Sequence, residues 1–189
     1  MKIRIKKMRE NAKLPEFKGG NWIDTYVSKI GFISNAIGEF DFDNIIYPTD
    51  TELFKNLESE GSDDMLLGYG GCRYDTNNTL QYSMGDIIIL KLGFALELPK
   101  GKELHLLSRS GTFRKYGLIL TNGMGIGDDT YIGDNDEYMA MMYATRAGSV
   151  SLDDRLIQIK IEDAMPKVEF EEVEMFGNTD IGGYGSTGR

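Results

Sequence analysis

Three short runs of this chain place charged or hydroxyl side chains among glycines. The first is SRSGTFRKYG, residues 108–117, where Arg109 and Ser110 precede Gly111. A cation and a hydroxyl beside backbone that is free to turn suit a phosphate chain, because Arg and open N–H groups both bind anionic oxygens. The second is TNGMGIGDDTYIGD, residues 121–134. Asn122-Gly123 reads as the tight turn of a hairpin, and open amides and carbonyls around Gly125 offer a fixed donor and acceptor pattern to a base edge. Asp128 stands three residues before Tyr131. Such an Asp can bind calcium, act as a general base or cap a turn. The run lacks the alternating oxygen ligands and final Glu of an EF-hand. The third is IGGYGSTGR, residues 181–189, with four glycines around Tyr184, Ser186 and Thr187, then Arg189. By composition this is a flexible end, yet it carries one ring, two hydroxyls and a cation. Taken singly, the first two runs also fit ordinary polar turns.

In this order and spacing the runs resemble the second, third and fifth motifs of the trimeric dUTP diphosphatases (dUTPases). LDDRLIQIKI, residues 152–161, is similar to the fourth motif, and NWIDTY, residues 21–26, is a looser match to the first. GDIIILKLGFALELPKG, residues 85–101, matches the strand and turn that precede the second motif. The chain departs from the family at several positions. Ser108 replaces the usual Pro, Tyr184 the usual Phe, and Thr179 a phosphate-binding Arg of the fifth motif, for which Arg189 is a candidate substitute. The stretch 31–83 is longer than the usual connection between the first two motifs, as in phage or prophage members.

The resemblance implies an all-β, jelly-roll or β-barrel fold of the β-clip kind, assembled as a homotrimer. It implies hydrolysis of dUTP to dUMP and diphosphate by in-line attack of water, with Mg²⁺ as cofactor. Asp128 would orient and deprotonate that water, helped by Gln158. Asn122, Gly125 and the turn backbone would read uracil, and Tyr131 would pack flat on the deoxyribose. Arg109, Ser110 and Gly111 would hold the phosphates of a ligand lying against a neighbouring subunit. Asp24 would reach the metal through water, and Arg155 would support the site by ion pairing. Tyr184, Gly185, Ser186 and Thr187 belong to an arm, residues 176–189, that closes over the bound nucleotide. Ordering a glycine-rich arm costs about 1 kcal/mol or more per residue, so closure should await the ligand.

The elements that must position these residues are mostly strands. Ile3 and Ile5 alternate with basic residues as a short half-buried strand. From Asp86 onward, Ile87–Leu90 is a buried run, and Leu92, Phe94, Leu96 and Leu98 alternate with their neighbours. Further strands fit 104–107, 117–121, 138–144, 155–161 and 168–174. Many short strands with glycine-rich turns indicate a barrel or jelly roll. His105, the single histidine, reads as a packed strand residue between Leu104 and Leu106. The whole chain, 1–189, is read as one domain, with 31–83 as a mostly helical insertion. Thr49 and Glu52 suggest a capping box for a helix near 50–60.

The net charge is −9. It argues against nucleic acid or an anionic membrane as the principal partner. Cys72 is alone, so neither an intrachain disulfide nor a cysteine zinc site is expected. The basic N-terminus has no apolar core of a signal peptide, and no apolar run approaches the roughly 18 residues of a membrane span. A cytoplasmic location follows, in the host cytoplasm if the chain is phage-encoded. Two rivals stand beside the main reading. A dCTP deaminase relative would need a catalytic Glu where this chain has Asp128 and Asp129. Alternatively, a dUTPase could also bind a regulatory protein through the insertion and its acidic run Glu58, Glu60, Asp63 and Asp64. The plainer reading of that run is a solvated decoration on the barrel rim.

Overall fold

The apolar run Ile87–Leu90 becomes a strand in the middle of a four-stranded antiparallel sheet, buried along most of its length. The computed structural model describes residues 1–33, 45–50, 67–69, 72–74, 78–180 and 182. The described strands, in chain order, are β1 (Arg4–Lys7), β2 (Glu16–Phe17), β3 (Ile23–Asp24), β4 (Lys29–Ile33), β5 (Leu67–Tyr69), β6 (Cys72–Tyr74), β7 (Thr79–Tyr82), β8 (Ile87–Lys91), β9 (Phe94–Glu97) and β10 (Lys102–Ser108). They continue with β11 (Leu118–Leu120), β12 (Gly125–Gly127), β13 (Met139–Ala144), β14 (Gly148–Ser151) and β15 (Ile157–Asp163). The described α-helix is α1 (Thr112–Tyr116).

All described strand pairs are antiparallel. Side by side, the strands run β12-β10-β15-β3-β2 in one sheet, β11-β13-β8-β4 in a second and β14-β7-β6-β5 in a third, while β1 pairs with β9. These sheets enclose one apolar cluster that includes Phe32, Ile88, Leu90, Phe94, Leu104 and Met142. This is the jelly-roll barrel expected from the sequence. The strands follow the period-two rule of a half-buried sheet: in β13, Ala140, Met142 and Ala144 are buried between more exposed Met139, Met141 and Tyr143. Gly93 breaks the chain between β8 and β9 at a φ of +77°, and a Cβ there would lie 2.7 Å from Ala12 and Ser28 side chains. Only glycine meets both demands at once.

Some expectations are corrected. Residues 168–174 carry no strand; Phe170 is 95% and Phe176 85% exposed, because no strand edge of the described chain lies beside this segment to complete its hydrogen bonds. β1 is exposed along its whole length rather than half-buried; Ile3, just before it, packs on the core. The turn at Asn122-Gly123 exists: Gly123 N–H donates to Leu120 O at 3.1 Å, and Gly123 has φ +68°. It does not close a ladder. β11 pairs with β13 and β12 pairs with β10, so the turn carries the chain from one sheet to the other. The fourth-motif strand runs 157–163 rather than 155–161, which leaves Arg155 in the loop before it. α1 was not anticipated. The helix near 50–60 lies outside the described residues. The stretch 31–83 begins inside β4, which pairs with β8, and ends beyond β7, which pairs with β14. Its described base, Ile45–Asp50, folds back on the barrel: Ile46 exchanges backbone hydrogen bonds with Phe32 at 3.0 and 3.1 Å.

Candidate active site

β10 carries both halves of the candidate site, one at each end. At its C-terminal end it is flanked by β15, and β15 by β3. That register sets Gln158 beside Leu107 on one side and Asp24 on the other. Asp24 has an 8% exposed side chain. It accepts from Arg109 Nε on Oδ1 at 2.8 Å and from Arg155 Nη1 on Oδ2 at 2.9 Å. Arg109 is fixed further: its N–H donates to Leu156 O at 2.8 Å and its Nη1 to Arg155 O at 3.2 Å. Gln158 Nε2 donates to Ser108 O at 3.4 Å. Ser110 is exposed and Gly111 partly so.

Two guanidinium groups on one carboxylate leave a positive excess. It opens onto a cleft of about 260 Å³, lined by Arg109, Gly111, Arg114, Lys115, Asp153 and Arg155 among others. Asp153 is paired with Lys13 at 2.7 Å, and Asp154 accepts the Ser151 N–H at 2.9 Å. The acids beside the cleft are therefore already engaged. Arg114 and Lys115 were not singled out in the sequence, because the resemblance gives no role to the residues after Gly111. The signal available was the pair of cations four and five residues beyond Ser110. The short helix that carries them is braced by Thr112 Oγ1 donating to Leu156 O, and by Arg146 Nη2 donating to Arg114 O and Lys115 O.

The other half flanks the opposite part of β10. β12 places Gly125 beside Leu106 and Gly127 beside Leu104. Here a hollow of about 210 Å³ is lined by Asn122, Gly125, Ile126, Gly127, Tyr131 and Tyr138, among others. Its apolar walls and few polar groups match a small-ligand pocket. Asp128 follows β12 and is exposed. Its Oδ1 accepts the Thr130 N–H at 2.8 Å and the Thr130 hydroxyl at 2.5 Å. Both bonds favour the charged form and hold the Asp128 carboxyl below its ordinary value, the hydroxyl contributing most. Neighbouring Asp129 is spent on structure: it accepts the Gly101 N–H at 2.5 Å. Tyr131 stands edge-on to Tyr138, with centroids 5.3 Å apart, and donates its hydroxyl to Glu137 O at 3.1 Å. Burial raises its phenol pKa, so it stays neutral.

The sequence-predicted residues thus fall into two groups. Asp24, Arg109, Ser110, Gly111, Arg155 and Gln158 meet at one end, and Asn122, Gly125, Asp128 and Tyr131 at the other. Gly127 faces Leu104, five positions before Arg109. At about 3.4 Å per residue, about 17 Å of strand separates the two ends. Within one chain, Arg109 therefore does not reach Asp128; Gln158, opposite Leu107, is separated from it by about 10 Å along the strands and by the width of β10. Tyr184, Gly185, Ser186 and Thr187 lie outside the described residues. His105 is a half-buried strand residue, as expected, and bonds Glu103 at 2.5 Å. Among the described residues no group of three His, Cys, Asp or Glu side chains forms a metal cage, and no helix is long and apolar enough to cross a membrane.

No protein-family model matches the chain. An SPbeta prophage-derived deoxyuridine 5'-triphosphate nucleotidohydrolase of Bacillus subtilis (strain 168), YosS, is 45% identical over 100 residues, covering 53% of this chain and 70% of the relative. A deoxyuridine 5'-triphosphate nucleotidohydrolase of Anaplasma marginale is 36% identical over 101 residues, covering 52% and 67%. Among solved structures, a mutant dUTPase from phage phi11 of S. aureus, described with a structural Mg(II) ion, superposes with a TM-score of 0.58 at 14% identity, covering 93% of this chain and 99% of that one. A mutant dUTPase of Staphylococcus bacteriophage 80alpha with dUpNHpp gives 0.57 at 15% identity, covering 100% and 99%. The structural likenesses establish the fold.

Proposed function

The chain belongs to the deoxyuridine 5'-triphosphate nucleotidohydrolase family, and on that premise we propose how its residues hydrolyse dUTP to dUMP and diphosphate. The observation that carries the reading is an ionised, solvent-facing Asp128 at the end of β12, beside a nucleoside-sized hollow. Asp128 orients the attacking water and takes its proton. Asn122 and the amides and carbonyls around Gly125 read the uracil edge, and lack of room rejects the methyl of thymine. Tyr131 packs on the deoxyribose, where a ribose 2′-hydroxyl would clash.

Arg109, Ser110 and Gly111 bind the phosphates, and Gln158 helps to place the water. A base must lie within about 3 Å of the proton it takes. About 17 Å of strand is too far for one copy to supply both ends, so the site forms between copies of a homotrimer. Outward-facing Ile119, Met139 and Tyr143, and 61% exposed Ile126, support such an assembly. So do the exposed side chains of the 168–176 segment. Arg155 and Arg109 both hold Asp24, so Arg155 acts as a brace, and Asp24 would reach Mg²⁺ through water. The ion would be held by the phosphate oxygens and would neutralise their charge; among the described residues no cage of His, Cys, Asp or Glu side chains is built for it. The arm carrying Tyr184, Gly185, Ser186 and Thr187 then closes, stacking a ring on uracil and excluding water.

The test is diphosphate release from dUTP, dTTP, dCTP and UTP, each with and without Mg²⁺. Release from dUTP alone, dependent on Mg²⁺, is expected; ammonia release from dCTP would overturn the assignment. The residues assigned to this chemistry all lie outside 31–83, although its described strands β4 and β7 pair within the barrel sheets; its acidic run Glu58, Glu60, Asp63 and Asp64 would be the part that meets a regulatory protein.

A further inference from the structure

Asp128 and Tyr131 belong to the loop that joins β12 to β13, and the N-terminal segment grips that loop at two places. Arg9 donates from Nη1 and Nη2 to the two carboxylate oxygens of Glu137, at 2.6 and 2.7 Å. The Glu137 side chain is 7% exposed. It also accepts the Gly93 N–H at 2.9 Å, and Lys91 Nζ lies 3.7 Å away. Three residues before Arg9, Lys6 Nζ donates to the main-chain oxygen of Asp134 at 2.8 Å and to its carboxylate at 3.1 Å. The segment is itself anchored, because β1 is hydrogen-bonded to β9.

Glu137 is also the residue whose main-chain oxygen accepts the Tyr131 hydroxyl. The Tyr131 ring is therefore held between the main-chain oxygen of a residue whose side chain is fixed in a part-buried ion pair and the ring of Tyr138. A bidentate Arg–carboxylate pair fixes orientation as well as distance. Buried pairs of this kind add little net stability over an apolar replacement. Their more distinctive effect is to fix a geometry, and here the geometry is that of the ring assigned to the sugar.

We propose that Arg9 and Lys6 are positioning residues: through Glu137 and Asp134 they hold Tyr131 against the 2′ side of the deoxyribose and so set the discrimination between dUTP and UTP. This rests on the function proposed above. A loop released from the segment lets the ring swing aside and make room for a 2′-hydroxyl. The quantity to measure is the ratio of kcat/KM for dUTP to that for UTP. Arg9→Met should lower it about tenfold, the scale of a lost packing contact in a substrate pocket. Arg9→Lys should retain part of the selectivity, since an ammonium keeps the charge without the fork. Lys6→Met should shift the ratio less, in the same direction. Tyr131→Phe removes only the bond to Glu137 O, and combining it with Arg9→Met should lower the ratio no further than the larger single effect.

An unchanged ratio in Arg9→Met and Lys6→Met, with only Tm reduced, would overturn the proposal, as would additive losses in the double variant. If Arg9→Met does not fold, Lys6→Met decides: Lys6 is exposed, and an unchanged ratio there refutes the brace. A wild-type chain that leaves dUTP intact defeats the function itself. A selective wild type with equally selective variants defeats only the brace.

Discussion

At the scale of single residues, chemistry follows from which polar groups are already engaged. Asp128 and Asp129 are adjacent and identical in type, yet one faces solvent and the other holds the Gly101 turn. The sequence marks Asp128 only through its resemblance; the hydrogen bonds from Thr130 supply the physical distinction. A carboxyl held below its usual range stays charged as pH falls, and the base is lost only when pH drops through the lowered value. Thr130→Val keeps the N–H donor and deletes the hydroxyl. The acid limb of the kcat/KM profile should then move up toward the ordinary Asp value of about 3.9; a profile identical to wild type would contradict this. Tyr138 offers a second test. Its hydroxyl is buried with no hydrogen-bond partner among the described residues, and burial pushes its pKa up to about 12. Removing an unsatisfied buried hydroxyl relieves about 1 kcal/mol or more. Tyr138→Phe should therefore raise Tm by about 2–4 °C in a thermal melt, and a fall would show that the hydroxyl has a partner.

At the scale of elements, the sequence was legible where one strand face is buried and obscure where pairing is non-local. The alternation from Leu92 to Leu98 and the run Ile87–Leu90 read directly as strands. The Asn122-Gly123 turn was also legible, but its strands join different sheets, and nothing local encodes that choice. The alternation at 168–174 is a strand pattern without a neighbour in the described chain. α1 escaped notice because five residues are too few to show a helical period. The clustering of Asp24, Arg109 and Arg155 joins residues far apart in sequence, and only register brings them together. Two deletions test the elements. Loss of 181–189 should remove most turnover and leave assembly by size-exclusion chromatography unchanged. Deleting 51–66 spares 45–50, where Tyr47 packs between Lys29 and Lys91, and should leave dUTP turnover within about twofold of wild type, because none of the residues assigned to the chemistry falls in the deleted stretch.

At the scale of the whole molecule, Arg109, the proposed phosphate-binding cation, directly follows β10, and that strand sets a distance to Asp128, the proposed base, that is too long for one copy. A closed three-fold ring, as proposed, would solve this by bringing one copy's β10 end against another copy's β12 turn. The same arrangement would cover the apolar side chains that a single chain leaves in solvent, including Ile126 and Phe170. An isolated subunit should therefore bind nucleotide poorly and turn over none of it. The most direct measurement mixes two inactive variants, Arg109→Ala and Asp128→Asn, after dissociation and reassembly in equal amounts. If each site takes its Arg109 and its Asp128 from different copies, random reassembly leaves both residues native in about a quarter of the sites. Diphosphate release from dUTP at about a quarter of the wild-type rate is the expected result. No recovery above either variant alone, in assemblies shown to be mixed, would contradict a site shared between copies.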